Sequence, residues 1–295
     1  MAAKSDLERL TIIIPAYNEE LVIRSVISEL KVAFPDARII LVDDGSRDDT
    51  VNEAMSIPEI TIISHDVNRG MGAALKTGMR AANSEFLAWY DADGQHSPED
   101  LLKVALPVIK GERDVVIGAR QKGSHNKPER IPGKFILKII AQAVTGSPIP
   151  DLNSGLRCFR TQVIKRYLHL LPDSFSASST STLIMIKRGY RIGYVPILSR
   201  PRKGRSSVNI VRDGFLTMHL ILRMLILFET FRFFTTLSLL QVIPGLAYGL
   251  YLTFRNKAGF PTFAVIIVIS GILTFFMGII SDQISELRKE RFEED

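Results

Sequence analysis

The chain has 295 residues, a single cysteine, a net charge of +6 and 46% hydrophobic residues. One cysteine excludes an internal disulfide framework, and the length allows one large domain with an appendage or two modest ones. The positive charge suits an anionic partner such as phosphate, nucleic acid or an acidic membrane face. Apolar and charged residues are mixed up to 207, whereas charges nearly vanish beyond 233.

In the first half, short β-branched runs alternate with helical stretches, the pattern of βα units around a mostly parallel sheet. Residues 11–14 read as a strand ending at Pro15. Residues 19–31 have helical spacing, with Val22, Val26, Ile27 and Leu30 on one face. A second strand, 38–42, runs into Asp43, Asp44 and Gly45, and a third covers 60–63. A small-residue-rich helix follows at 72–82. The fourth strand, 86–90, ends at Asp91. Ser97 is placed as an N-cap, with Pro98 at the first helical position and Glu99 and Asp100 in the first turn. A fifth strand spans 115–119. Residues 134–144 read as an amphipathic piece with Lys134, Lys138 and Gln142 on one face. Cys158, between Arg157 and Phe159, reads as an inert packed thiol. A last strand, 190–197, leads into a basic stretch at 200–205.

Residues 209–231 place Arg212, His219 and Arg223 on one helical face and leucines on most of the rest, which suits a helix lying in a lipid interface. Segments 233–254 and 260–281 carry no charge and are each long enough to cross a bilayer. Their five-residue separation makes a helical hairpin, with both ends on one side. Gln241 and Pro244 are tolerable at a helix–helix contact within it. The first ten residues lack the apolar core of a signal peptide, so the soluble part is expected to stay in the cytoplasm.

The most informative segment is WYDADGQH at 89–96. In an open α/β sheet, ligands bind beyond the carboxyl ends of the strands. Asp91 and Asp93, spaced Asp-x-Asp at such an end, can hold a hard cation that also grips a diphosphate, and Gln95 can add an oxygen ligand. Alone, this pattern reads equally well as a polar turn. Three other strand ends are polar too. IIIPAYNEE at 12–20 delivers Pro15, Tyr17 and Glu19 to the same edge, where an aromatic ring can stack on a base. LVDDGSRDDT at 41–50 supplies Asp44 as an acceptor for a base or ribose. DVNRGMGAALKTG at 66–78 has Gly70 and Gly72 for close backbone approach before a helix. Leu75 stands where a dinucleotide fingerprint needs its third glycine, so that reading fails, and no Walker P-loop occurs.

Together with DLNSGLRCF at 151–159 and RGYRIGYVPI at 188–197, these four blocks in this order resemble the family 2 glycosyltransferases of the GT-A fold. The branch they resemble includes dolichyl-phosphate mannose synthase and bacterial polyprenyl-phosphate glucosyltransferases. The likeness covers residues 10–207 and then the hairpin. It implies an α/β, Rossmann-like GT-A domain at 1–207, an interfacial amphipathic helix at 208–232, a two-span transmembrane region at 233–285 and a charged tail at 286–295. It further implies that Pro15, Tyr17, Glu19, Val42 and Asp44 hold the nucleoside of a UDP- or GDP-linked sugar. Asp91, Ala92, Asp93 and Gln95 would hold the diphosphate with Mg²⁺ or Mn²⁺. Arg120 matches an arginine near the reacting phosphates, Arg130 and Lys134 match residues that grip the acceptor phosphate, and Arg202 matches a loop that closes over the donor.

The activity so implied is inverting transfer of one hexose, of mannose or glucose type, to dolichyl or undecaprenyl phosphate. The enzyme would be an integral membrane protein of a prokaryotic inner membrane or a eukaryotic ER, with a cytoplasmic catalytic domain and no nucleic-acid partner. Homo-oligomers occur among look-alikes with this hairpin, and no stoichiometry follows from the residues.

Two departures from the family pattern bear on mechanism. The closing loop has Ser207 where a lysine is usual, with Arg205 nearby to supply the charge. The stretch 174–183, SFSASSTSTL, lacks the acid that many relatives use as a catalytic base. A phosphate monoester, with a second pKa of about 6, is already anionic near neutrality and needs no base. A hydroxyl acceptor would need one, and Asp151 is then the candidate. Transfer to a sugar or lipid hydroxyl is therefore one alternative, and a non-catalytic subunit that binds nucleotide sugar is another. The absence of a QxxRW signature argues against a processive polysaccharide synthase; the only tryptophan is Trp89. A haloacid-dehalogenase-like phosphatase would carry its DxD at the first strand, where this chain has PAYNEE.

Overall fold

The computed structural model describes residues 7–121, 148–201, 229–256 and 259–290. The chain divides into two compact units, Met1–Asn209 and Ile210–Asp295. In the first, the strands are β1 (Leu10–Ala16), β2 (Arg38–Asp43), β3 (Thr61–Ser64), β4 (Phe86–Trp89), β5 (Val115–Arg120), β6 (Arg157–Arg160) and β7 (Ile192–Ile197). They form one sheet in the order β3-β2-β1-β4-β6-β5-β7. The helices between them are α1 (Ile23–Ala33), α2 (Thr50–Met55), α3 (Met71–Ala81), α4 (Pro98–Ile109), α5 (Thr161–Lys165) and α6 (Ala177–Lys187).

Periodicity explains most of these elements. β1 is buried along its whole length, as a central strand covered on both faces must be. Helix α1 buries Ile23, Val26, Ile27 and Leu30, the face its spacing predicts. Each such side chain contributes about 1.5–3 kcal/mol on full burial. The helix starts later than expected, at Ile23; Glu19 lies in the turn before it, where its carbonyl accepts from Ile23 N. Helix α4 begins as read, with the Ser97 hydroxyl accepting from Asp100 N at 3.2 Å and Pro98 in the first turn.

The sheet is mixed rather than fully parallel. β6 runs antiparallel between β4 and β5, while the other neighbours pair in parallel. Its first residue, Arg157, pairs with Trp89 of β4 and Ile117 of β5, so the chain enters β6 from the carboxyl edge of both. That entry places residues 151–156 over the edge where ligands bind.

In the second unit, α7 (Thr230–Asn256) and α8 (Thr262–Glu290) form a hairpin of two helices long and apolar enough to cross a membrane. Both outrun the expected spans, and α8 continues past residue 285 through a charged stretch. At 1.5 Å per residue each exceeds the ~30 Å of a hydrocarbon core. Glycines let the helices approach. Added Cβ atoms at Gly245 and Gly271 would meet Ile267 Cγ2 at 2.9 Å and Val242 Cγ2 at 2.5 Å. Ser238 Oγ donates to the Gly271 carbonyl at 2.7 Å, and Gln241 faces Thr274 across the same contact. Leu240, Ile243, Ile266, Ile269 and Ile280 point outward, exposed. The expected interfacial helix falls almost wholly outside the described residues, as do Arg130, Lys134, Arg202, Arg205 and Ser207.

Candidate active site

The carboxyl ends of β1, β2 and β4 meet on one edge, and side chains cross-tie the loops that leave them. Asn18 takes the left-handed conformation (φ 55°), donates its backbone N–H to Ser46 Oγ at 2.9 Å and accepts from Arg47 N at 2.8 Å. Glu19 N donates to Thr50 Oγ1 at 2.8 Å. Pro15 and Val42 are paired neighbours in the sheet. Val42 is buried with its side chain toward α3, so only its backbone faces a ligand at this edge. Tyr17, 42% exposed, is free to stack on a ring.

Asp44 was expected to meet a base or ribose, yet it is 3% exposed and points inward. Its oxygens accept from His65 Nδ1 at 2.7 Å, Arg69 N at 2.9 Å and Gly70 N at 2.7 Å. His65 in turn meets Thr77 Oγ1 at 2.9 Å. A nucleoside at Asp44 would have to share the carboxylate with these donors. Gly70 and Gly72 do permit close approach, but the backbone that approaches is the chain's own Pro172–Ser174 segment. Asp173 O accepts from Ala73 N at 3.1 Å and so occupies a donor at the start of α3.

After β4, Asp91 and Asp93 are both half-buried. His96, 5% exposed, meets Asp91 Oδ2 through Nε2 at 3.1 Å. Among the described residues its Nδ1 is buried without a partner, and Nε2 is the ring nitrogen that faces the carboxylate. The Asp91 carboxylate also lies directly against the Cα of Gly155. Burial acts to raise the Asp91 pKa. The His96 hydrogen bond and the charges of His96, Arg120 and Arg157 outweigh it and hold the carboxyl below its ordinary value. Asp93 Oδ1 accepts from Gln95 N at 3.1 Å. The Gln95 amide donates to the Arg200 carbonyl at 3.3 Å, which leaves its own carbonyl oxygen as the group a cation can use. The oxygens of Asp91, Asp93 and Gln95 fit a hard divalent ion. Among the described residues no three acidic, histidine or cysteine side chains converge on one point. Such an ion would therefore take further ligands from phosphate and water, as Mg²⁺ commonly does.

Across β6, at the end of β5, Arg120 and Asp151 form a fork: Nε to Oδ2 at 2.6 Å and Nη2 to Oδ1 at 2.9 Å. Arg120 N and Asn153 N add bonds of 3.3 and 3.1 Å to the same carboxylate. Burial would raise the Asp151 pKa, but these donors and the guanidinium charge hold it below the usual carboxylate range. Arg120 is held above its usual value chiefly by the Asp151 hydrogen bond, with Asp91 and Asp93 contributing. The DxD carboxylates and the fork therefore share one electrostatic site. Asp151, the candidate base for a hydroxyl acceptor, has both oxygens facing these donors.

Sequence reasoning named no role for His96, Gly155 or Arg157. All three lie inside quoted motifs, and only their three-dimensional contacts reveal what they do.

The chain matches the model of the glycosyl transferase family 2 over residues 11–168 and that of the GtrB C-terminal hairpin over 231–287. The UDP-N-acetylglucosamine–dolichyl-phosphate N-acetylglucosaminyltransferase of Methanococcus voltae is 33% identical, over 63% of this chain and 83% of that one. Glycosyltransferase AglJ of Haloferax volcanii is 25% identical over 95% of both chains. An undecaprenyl-phosphate 4-deoxy-4-formamido-L-arabinose transferase of Pseudomonas fluorescens is 29% identical, covering 58% of this chain and 55% of that one. Among solved structures, glucosyl-3-phosphoglycerate synthase of Mycobacterium tuberculosis with Mn²⁺, UDP and product has the same fold. It superposes with a TM-score of 0.61 at 19% identity, over 76% of this chain and 83% of that one. With its DxD at the end of the fourth strand, a family match spanning more than half its length and a hairpin model matching residues 231–287, the chain is a glycosyltransferase of family 2.

Proposed function

We propose that this enzyme transfers a single hexose, with inversion, from a nucleoside-diphosphate sugar to a polyprenyl phosphate. The observation that carries the reading is the Arg120–Asp151 fork, in which the nearby carboxylate that could have served as a base is already engaged by donors. The relatives from Methanococcus voltae and Pseudomonas fluorescens, named for dolichyl and undecaprenyl phosphate, support the acceptor class.

In the proposed reaction a lipid phosphate oxygen attacks the anomeric carbon as the bond to the nucleoside diphosphate breaks on the opposite face. Both phosphates stay ionised, so no proton has to move. Tyr17, Pro15, Glu19 and the Val42 backbone receive the nucleoside, and Ala92 lies beneath the diphosphate. Asp91, Asp93 and Gln95 would hold Mg²⁺ or Mn²⁺, which when bound neutralises the departing diphosphate. Neighbouring structures that contain Mn²⁺ or Mg²⁺ with UDP support this choice of cation. Asp151 orients Arg120, and Arg120 with Arg130 and Lys134 positions the acceptor. Arg202 covers the donor. The hairpin anchors the enzyme where a lipid acceptor resides, with the catalytic domain on the cytoplasmic face that nucleotide sugars occupy.

The test is a transfer assay on detergent-solubilised protein with a short polyprenyl phosphate, Mn²⁺ or Mg²⁺, and labelled UDP-glucose, GDP-mannose and UDP-N-acetylglucosamine in separate reactions. Label entering the organic phase from one donor supports the reading. Transfer only to a hydroxyl acceptor, or donor binding with no transfer at all, overturns it.

A further inference from the structure

Arg157 is fully buried at the start of β6, 0% exposed, and among the described residues every hydrogen bond it makes goes to a neutral acceptor. Nε donates to the Ser154 carbonyl at 2.7 Å and Nη2 to the Leu152 carbonyl at 3.1 Å. Nη1 donates to the Ser178 carbonyl at 2.6 Å, to Thr182 Oγ1 at 2.8 Å and to Ser181 Oγ at 2.9 Å. The guanidinium carbon stands 5.7 Å from the centre of the Trp89 ring. Among the described residues no carboxylate touches it.

An ionised group buried without a contacting counter-charge is costly. A core requirement alone would be met more cheaply by an apolar residue, as at Cys158 and Phe159 beside it. The five bonds show what the guanidinium accomplishes. One fork grips both carbonyls of the 152–154 turn, and the other grips the first turns of α6. The turn begins at Asp151, which holds Arg120, and ends at Gly155, against which Asp91 rests. Asn153 Oδ1 accepts from Ser179 Oγ at 2.5 Å and closes the same circuit.

We propose that Arg157 is a positioning residue for the acceptor half of the site: it rivets the 151–155 turn to α6, and thereby sets the Asp151–Arg120 fork. This rests on the acceptor role proposed above for Arg120. Lysine at this place keeps the charge but offers a point donor on a flexible stem, so it cannot bridge the turn and α6 at once.

The experiment compares wild type, Arg157→Lys and Ser181→Ala in three readouts. These are kcat/KM with the acceptor varied, the affinity for UDP or GDP with Mn²⁺, and amide hydrogen exchange across 150–156 against β1 and β2. Arg157→Lys is expected to lower the acceptor-dependent kcat/KM by about 10²-fold, the scale of a 1 Å misplacement near the chemistry. Exchange should rise in 150–156 and not in β1 or β2, with nucleotide affinity within about twofold. Ser181→Ala, which removes one acceptor for Arg157 and one donor to the Ser178 carbonyl, should move the same readouts in the same direction by less. In an Asp151→Asn background the lysine substitution should add little, because both act through one fork. Equal losses of nucleotide affinity and acceptor efficiency, exchange rising throughout the sheet, or full additivity with Asp151→Asn would each overturn the proposal. The exchange measurement needs no turnover. A failure of the polyprenyl-phosphate assignment therefore shows separately, as wild-type transfer to another acceptor class.

Discussion

The Asp91 carboxylate rests on the bare Cα of Gly155, in the space a side chain at 155 would fill. One residue stands at the end of a strand and the other in the turn that feeds its antiparallel neighbour, so a DxD carboxylate and the acceptor-side turn are shaped against each other. Gly155→Ala is expected to cost about 1–3 kcal/mol from overpacking. It should also reduce transfer by more than that destabilisation explains, because Asp91 has to move. Thermal unfolding and kcat/KM on the same preparation check this; an alanine variant with unchanged activity would refute the contact's importance.

Asp93 is the second carboxylate of the pair, and Asp93→Asn keeps its shape while removing its charge. Transfer should fall by at least about 10²-fold, a typical loss for one electrostatic contact to a transition state. Mn²⁺ should no longer strengthen UDP or GDP binding. Calorimetric titration with and without Mn²⁺ reads the second effect directly.

The pH profile separates phosphate from hydroxyl acceptors. The folded pKa of Asp151 is depressed, so the stability its ion pair supplies is complete above its unfolded value of about 3.9. That contribution is lost only as the pH falls through the lower folded value. An acid limb in kcat/KM near about pH 6 therefore belongs to the acceptor monoester. Asp151→Asn should lower kcat/KM about tenfold or more by loosening Arg120, a cost typical of truncating one partner of a buried charge pair. The limb should stay where it is. A limb that disappears with the substitution would instead identify Asp151 as a base.

In the hairpin, Gly271 and Ser238 make different contributions to one contact. Ser238→Ala removes the bond to the Gly271 carbonyl and should cost about 0.6 kcal/mol, the average for such bonds between membrane helices. Gly271→Val drives a side chain into Val242 and should separate the helices. Thermal aggregation in detergent should therefore shift far more for the valine variant than for the alanine one.

Much of this architecture was legible in the residues. The polar ends of β1, β2 and β4, the N-cap at Ser97 and the two apolar spans each follow from local pattern, although the second helix runs nine residues past its expected end. β6 was missed because Arg-Cys-Phe-Arg has neither a β-branched run nor alternation, and its buried arginine breaks any apolar pattern. α6 was missed because it is buried on all sides from Ala177 to Met185, leaving no amphipathic period to detect. At Gly70 and Gly72 the sequence announces close approach but not by what, since Pro172–Ser174 lies a hundred residues onward. The polarity of Asp44 is legible in the sequence, but its bonds to His65 and to the Arg69 and Gly70 amides are not, because those partners lie more than twenty residues onward.

The single cysteine has a practical consequence. Cys158 is fully buried in β6, and burial pushes its thiol up to about 12, so almost no thiolate exists at neutral pH and no reagent reaches it in the folded protein. The native chain is thus chemically silent toward maleimides. A cysteine introduced at Gly259, where an added Cβ meets nothing within 4 Å, would be the one reactive site, and a membrane-impermeant label would report which side of a bilayer the hairpin's turn occupies.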